Sequence, residues 1–107
     1  MRVKSGVIVD AALRRANKEM IECVLVRRGD NDAGAIFIHI DALNGFHQLL
    51  GRIVDLEGNY VWKTVTHEDW TDYATIEARL DAELEVDQDI FIVAVLDREA
   101  RNPFKGL

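Results

Sequence analysis

The chain is poor in residues that mark secreted, fibrous or membrane-embedded proteins. It has one proline among 107 residues, which argues against long flexible linkers. It has one cysteine, Cys23, so an internal disulfide is excluded and no oxidising compartment is implied. Cys23 sits in an apolar run with no nearby helix N-terminus or histidine partner, and reads as a small buried hydrophobe rather than a reactive thiol. Long hydrophobic runs are absent as well. The apolar stretch near the start ends at Asp10, too short for a signal-peptide core or a membrane span, so a cytoplasmic protein with no membrane contact is expected. Ser5 is the only serine and no histidine has a sequence claim on it, so no nucleophile–base pair is visible. Whether the chain is an enzyme is left open. Aromatic residues make up only 7%, and Trp62 and Trp70 read as core or rim residues rather than base-stacking platforms.

What is present is an ordinary globular composition, 49% hydrophobic and 30% charged, at a length that suits one domain over residues 1–107. The net charge is −6, so nucleic-acid binding is not the default expectation. The charge is unevenly spread. Residues 1–28 carry seven Lys/Arg against three acids, and the remainder carries six against sixteen.

Periodicity predicts the elements in the order α-β-β-β-β-α-β. Ser5 is placed as the N-cap of a helix running to about Lys18, with Arg14, Arg15 and Lys18 near its C-terminus, where the helix dipole favours cations. Residues 21–28 and 35–42 read as strands. Asn44-Gly45 predicts a two-residue hairpin turn, which sets Ile40 opposite Leu49 and Leu43 opposite Phe46. In that register Ile36, Ile38, Ile40, Leu49 and Ile53 form the core face. Phe37, His39, Asp41, Leu43, Phe46, Gln48 and Leu50 form a mixed, partly open face. Residues 60–65 read as a further strand. A second helix, capped by Thr66 or Asp69, carries the stripe Trp70, Tyr73, Ile76, Leu80 and Leu84. The apolar run 90–96 reads as a central strand beside the first one, with a loose charged tail from Asp97. The expected fold class is α+β, a mostly antiparallel sheet of about five strands with two helices packed on one face.

Three stretches together resemble a known family. They are Ala12-Leu13-Arg14-Arg15, Val26-Arg27-Arg28-Gly29-Asp30-Asn31-Asp32-Ala33-Gly34-Ala35-Ile36-Phe37-Ile38 and Asp97-Arg98-Glu99. They are similar to a short alphaproteobacterial family known only as a domain of unknown function, DUF1491. Its most distinctive piece is Arg-Gly-Asp-x-x-Ala-Gly-x-Ile/Val. The resemblance implies a bacterial cytoplasmic protein and brings no catalytic, binding or cofactor residues with it.

Candidate chemistry is sparse. Arg27, Arg28 and Asp30 flank two loop glycines and could grip a phosphate or carboxylate, although Gly, Asp and Asn are also the usual turn residues. The loop is not a P-loop, because Gly-Lys-Ser/Thr is missing. Asp97, Arg98 and Glu99 would join that cluster only if the last strand ran parallel to the first. The acidic run Asp81, Glu83, Glu85, Asp87 and Asp89 fails the calcium-loop pattern at Val86. Acids at a helix C-terminus oppose its dipole, so a partner from the basic first helix or a second subunit is expected. His39 and His47 fall on opposite faces in the proposed hairpin, and with one cysteine no zinc spacing exists. No metal and no cofactor are expected.

The leading expectation is therefore a non-enzymatic interaction module that forms a homo-oligomer, a dimer at its simplest, or meets an unidentified protein partner. Phe37, Leu43, Phe46 and Leu50 would provide the contact surface. The alternative is a small enzyme or ligand-binding protein that takes an anionic molecule through Arg27, Arg28, Asp30, Asp97, Arg98 and Glu99. Nucleic-acid binding through Arg14, Arg15, Lys18, Arg27 and Arg28 is a weaker third.

Overall fold

A computed structural model of the chain describes residues 3–107, so Arg2, one of the basic residues tallied above, lies outside the described residues. Helix α1 (Ser5–Lys18) leads into β1 (Glu22–Arg27), β2 (Ile36–Asp41), β3 (His47–Val54) and β4 (Tyr60–Thr64). Helix α2 (Tyr73–Val86) and β5 (Phe91–Leu96) follow. The strands form one sheet in the order β1-β5-β2-β3-β4. Three pairings are antiparallel, and β2 with β5 is parallel. The α+β class and the neighbouring positions of the first and last strands agree with the expectation.

The placement of the helices does not. Ile36, Ile38 and Ile40 of β2 and Phe91, Val93 and Val95 of β5 pack under Val9, Ala12 and Ala16 of α1. Ile76 and Leu80 of α2 instead pack with Leu49, Ile92 and the half-buried Phe37. Successive side chains of a strand point to opposite faces. The two helices therefore cover opposite faces, and the expectation of two helices on one face is corrected. The apolar character of β5 on both faces has this cause. In α1, the β-branched run Val7-Ile8-Val9 is overridden by burial of Ile8 and Val9.

The hairpin register is also corrected, by one residue. Ile40 pairs with Gln48, His39 with Leu49 and Ile38 with Leu50. The loop spans three residues, Leu43 to Gly45, closed by the Ala42 N–H donating to the Phe46 carbonyl at 3.1 Å. The Asp41 carboxylate accepts from Leu43 N at 2.8 Å and the Asn44 side chain accepts from Phe46 N at 3.0 Å. These two side-chain contacts favour the longer loop over a two-residue turn. Leu50 consequently joins the α1 face, and Leu49 goes beneath α2.

Two smaller corrections concern helix ends. Asp72, not Thr66 or Asp69, caps α2, accepting from Thr75 N at 2.8 Å; the Thr75 side chain first, and then this backbone bond, hold its carboxyl below the usual range. Ser5 is the first residue of α1 rather than its cap, and its buried hydroxyl donates to the Gly34 carbonyl at 2.7 Å. The tail, expected to be loose, is tied down. Phe104 is 0% exposed within the α1-side core. The Trp62 indole N–H donates to the Phe104 carbonyl at 3.1 Å, and Arg15 donates to the Pro103 and Lys105 carbonyls. No described helix is long and apolar enough to cross a membrane.

Candidate functional site

The Arg-Gly-Asp loop is a structural clasp. Its 31 and 32 carbonyls accept from the first N–H groups of α1, Gly6 N at 2.9 Å and Ser5 N at 3.4 Å. Asp30 N donates to the Asp89 carbonyl at 2.9 Å, and the Asp30 carboxylate accepts from Ala33 N at 3.0 Å. A β-carbon on Gly29 or Gly34 would lie 2.3 Å or 2.5 Å from that same Asp89 carbonyl oxygen, so only glycine lets the loop approach β5. The arginines are engaged. Arg27 donates to the Gln88 carbonyl at 2.8 Å. Arg28 reaches Asn31 at 2.9 Å and Asp10 at 3.4 Å, and stacks over Phe91.

Asp97, Arg98 and Glu99 lie at the opposite end of the sheet. β1 and β5 are antiparallel, with Glu22 opposite Leu96 and Arg27 opposite Ile92. The two halves of the expected anion site therefore do not converge. Asp97 is buried and forms a fork with Arg101, with Nε and Nη2 each 2.9 Å from a carboxylate oxygen. The fork holds the Asp97 carboxyl below its ordinary range.

Arg98 and Glu99 instead meet part of the expected contact surface. With Phe46, Trp70, Ala42, Asn44 and Ala100 they line a shallow depression of about 410 Å³ at the end of the sheet. Phe46 is 56% exposed and Trp70 38%; Leu43, in the adjoining loop, is 48% exposed. Leu43 and Ala100 both adopt left-handed backbone, at φ 61° and 54°. Of the four residues expected to form the contact strip, Leu43 and Phe46 are at the surface. Phe37 is partly covered by α2, and Leu50 is buried on the other face.

The corrected register also brings His39 and His47 to one face. His39 Nε2 lies 2.9 Å from His47 Nδ1, and Tyr73 of α2 completes an aromatic cluster with centroids 5.1–6.0 Å apart. Burial, together with the His47 neighbour, lowers the His39 pKa against the opposing pull of Asp41 and Glu77. The negative charge of Glu77, one helical turn along α2, pushes the Tyr73 phenol up. Sequence reasoning missed this cluster because a one-residue slip sends every side chain of β3 to the other face. Among the described residues no three His, Cys, Asp or Glu side chains converge as a metal-ligand set. Burial pushes the Cys23 thiol up to about 11, which keeps it protonated at neutral pH.

The acidic end of α2 has no basic residue in its last turn. α1, on the other face, does not supply one. Arg79 serves instead, pairing with Glu83 at 3.6 Å and donating to the Val65 carbonyl.

A family model described as a protein of unknown function, DUF1491, matches residues 3–105. The chain belongs to this family. The fold of the DUF1491 chain is shared with solved structures. A crystal structure of a DUF1491 family protein from Caulobacter crescentus CB15 is 24% identical with a TM-score of 0.84, over 96% of this chain and 94% of that one. An NMR structure of a DUF1491 family protein from the same organism is 25% identical with a TM-score of 0.82, over 96% and 93%. A solution structure of an A. tumefaciens protein is 24% identical with a TM-score of 0.75, over 90% and 86%. No curated protein matches the chain.

Proposed function

We propose that the chain is a non-enzymatic, cytoplasmic interaction module that self-associates through the end of the sheet carrying Leu43, Phe46 and Trp70. The observation that carries this reading is Leu43 itself. A non-glycine residue in left-handed backbone costs about 1–2 kcal/mol, and here that conformation displays a leucine to water. A glycine would sit there without strain, so an exposed leucine at this point suits an anchor for a partner surface. Phe46 and Trp70 extend the apolar area, and the adjacent exposed pair Arg98 and Glu99 suits a two-fold contact. In such a contact each copy's cation meets the other's anion. The alternatives find less support: Arg27 and Arg28 are engaged within the fold, and the two halves of the anion cluster lie at opposite sheet ends.

Analytical ultracentrifugation tests the reading. The parent chain should sediment as a dimer at micromolar concentration, and Leu43→Gly with Phe46→Ser should sediment as a monomer. Leu43→Gly alone should weaken the dimer while leaving the fold at least as stable. A parent that stays monomeric up to millimolar concentration refutes the proposal.

A further inference from the structure

The face under α2 is only partly covered. Helix α2 lies over β2, β3 and the start of β5, and beside it a groove of about 420 Å³ runs toward β1. Ala94 and Leu96, both half-buried, lie on the sheet side of the groove, with Leu80 and Leu84 on the helix side. Val26, on the edge strand, is 59% exposed at the mouth. This volume falls in the range of small-molecule sites, about 300–1,000 Å³, and a mainly apolar lining with a few polar groups is their usual composition.

The carboxylates are the only acidic or basic side chains in the lining besides His39 and Tyr73, so its charge has one sign. Asp41, Glu77 and Asp81 line the groove, and no lysine or arginine does. His39 is biased toward its neutral form, and Arg27, which follows Val26 at the end of β1, is turned to the Gln88 carbonyl. Glu77 and Asp81 are one helical turn apart on α2 and both line the groove, with Tyr73 one turn before Glu77.

We propose that this groove binds a small organic cation, a protonated amine whose ammonium sits between Glu77 and Asp81 while its hydrocarbon part lies over Ala94 and Leu96. The groove supplies the space, the apolar lining supplies contact for a hydrocarbon body, and the Glu77 and Asp81 carboxylates choose the sign of the head group; Asp41 is already engaged by Leu43 N and lies 4.0 Å from His47 Nδ1. The site is separate from the sheet-end surface around Leu43 and stands or falls independently of it.

The test is an NMR titration of the full-length chain with alkylammonium ions from butyl to octyl, against the alkanoates of equal length at matched ionic strength. Saturable shifts are expected at the amides of Glu77, Ala94 and Leu96, with hexylammonium binding at least about tenfold more tightly than hexanoate. Each added methylene should tighten binding about two- to fourfold. Glu77→Gln and Asp81→Asn should each weaken hexylammonium severalfold at unchanged melting temperature. Ala94→Phe, which fills the groove, should abolish binding of every homologue. Equal binding of the two head groups, shifts centred on Phe46 instead, or no saturation across the series would overturn the proposal. So would N-acetyl-lysine amide binding as tightly as hexylammonium, because that would make the occupant a partner's side chain.

Discussion

Replacing Phe104 with alanine tests how firmly the last residues are built into the molecule. The ring is 0% exposed and packs edge-on against Trp62, with centroids 5.2 Å apart at 64°. Burying such a side chain contributes about 1.5–3 kcal/mol, and the aromatic pair adds about 0.5–1.5 kcal/mol. The cavity left behind raises the total to about 3–5 kcal/mol. The Trp62 hydrogen bond runs to the main-chain carbonyl of residue 104 and survives the change. For a chain of this size about 4 °C of melting temperature corresponds to each kcal/mol, so a drop of about 12–20 °C is expected. Urea denaturation followed by tryptophan fluorescence would measure the loss. Lys105→Ala, at an exposed side chain whose carbonyl still serves Arg15, is the control and should stay within about 0.5 kcal/mol. A loss under about 1 kcal/mol for Phe104→Ala would mean that the tail does not dock as described.

Gly34→Ala should prevent stable folding at 37 °C or reduce its yield sharply, since its β-carbon meets backbone at 2.5–2.9 Å. Gly58→Ala, with open space around it and only a φ of 85° to strain, should cost about 1–2 kcal/mol by chemical denaturation. Because the folded His39 pKa lies below 6.5, the unfolded chain binds more protons between those two values. Stability should therefore be full above about pH 7 and fall as pH drops through the window beneath 6.5; a His39→Gln chain should lose that part of the pH dependence. The lowered Asp97 pKa acts further down the scale: its contribution is complete above about pH 4 and fades as acid protonates the fork, so Asp97→Asn should flatten the acid limb of a denaturation series. Arg28→Ala should lower the melting temperature, as expected of a clasp residue bonded to Asn31 and Asp10.

Much of the architecture was legible in local pattern. The bounds of α1, the positions of the strands and the central, doubly apolar β5 all follow from periodicity, and β5 does lie beside β1. The pattern failed where two answers were equally apolar. Leu49 and Leu50 are adjacent, so either register of the β2–β3 hairpin buries a leucine under whichever layer is present. The Asp41 carboxylate, through Leu43 N, favours the longer loop, and no periodicity reports that contact. The same ambiguity hid the second layer. A strand that reads as mixed can be open to solvent or covered by a helix with polar neighbours, and Phe37 and His39 beneath α2 are the second case. At the candidate sites, the relative direction of β1 and β5 decided whether Arg27 and Asp97 could meet, and direction is a long-range property. The depression at Phe46 and Trp70 escaped because Arg98 and Glu99 reach it from a distant segment.

The clasp around Gly29 and Gly34 stitches together the beginning of the chain, the β1–β2 connection and the α2–β5 junction. Peeling α1 away exposes the loop, and opening the loop releases the entry to β5, the strand that joins β1 to the rest of the sheet. Amide protons in α1 and in β5 should therefore exchange with solvent through one shared opening, with equal free energies, rather than fraying separately from the chain ends. Folding must also wait for partners more than fifty residues apart to find each other, which makes a slow, late-closing and all-or-none transition the natural behaviour of this small protein.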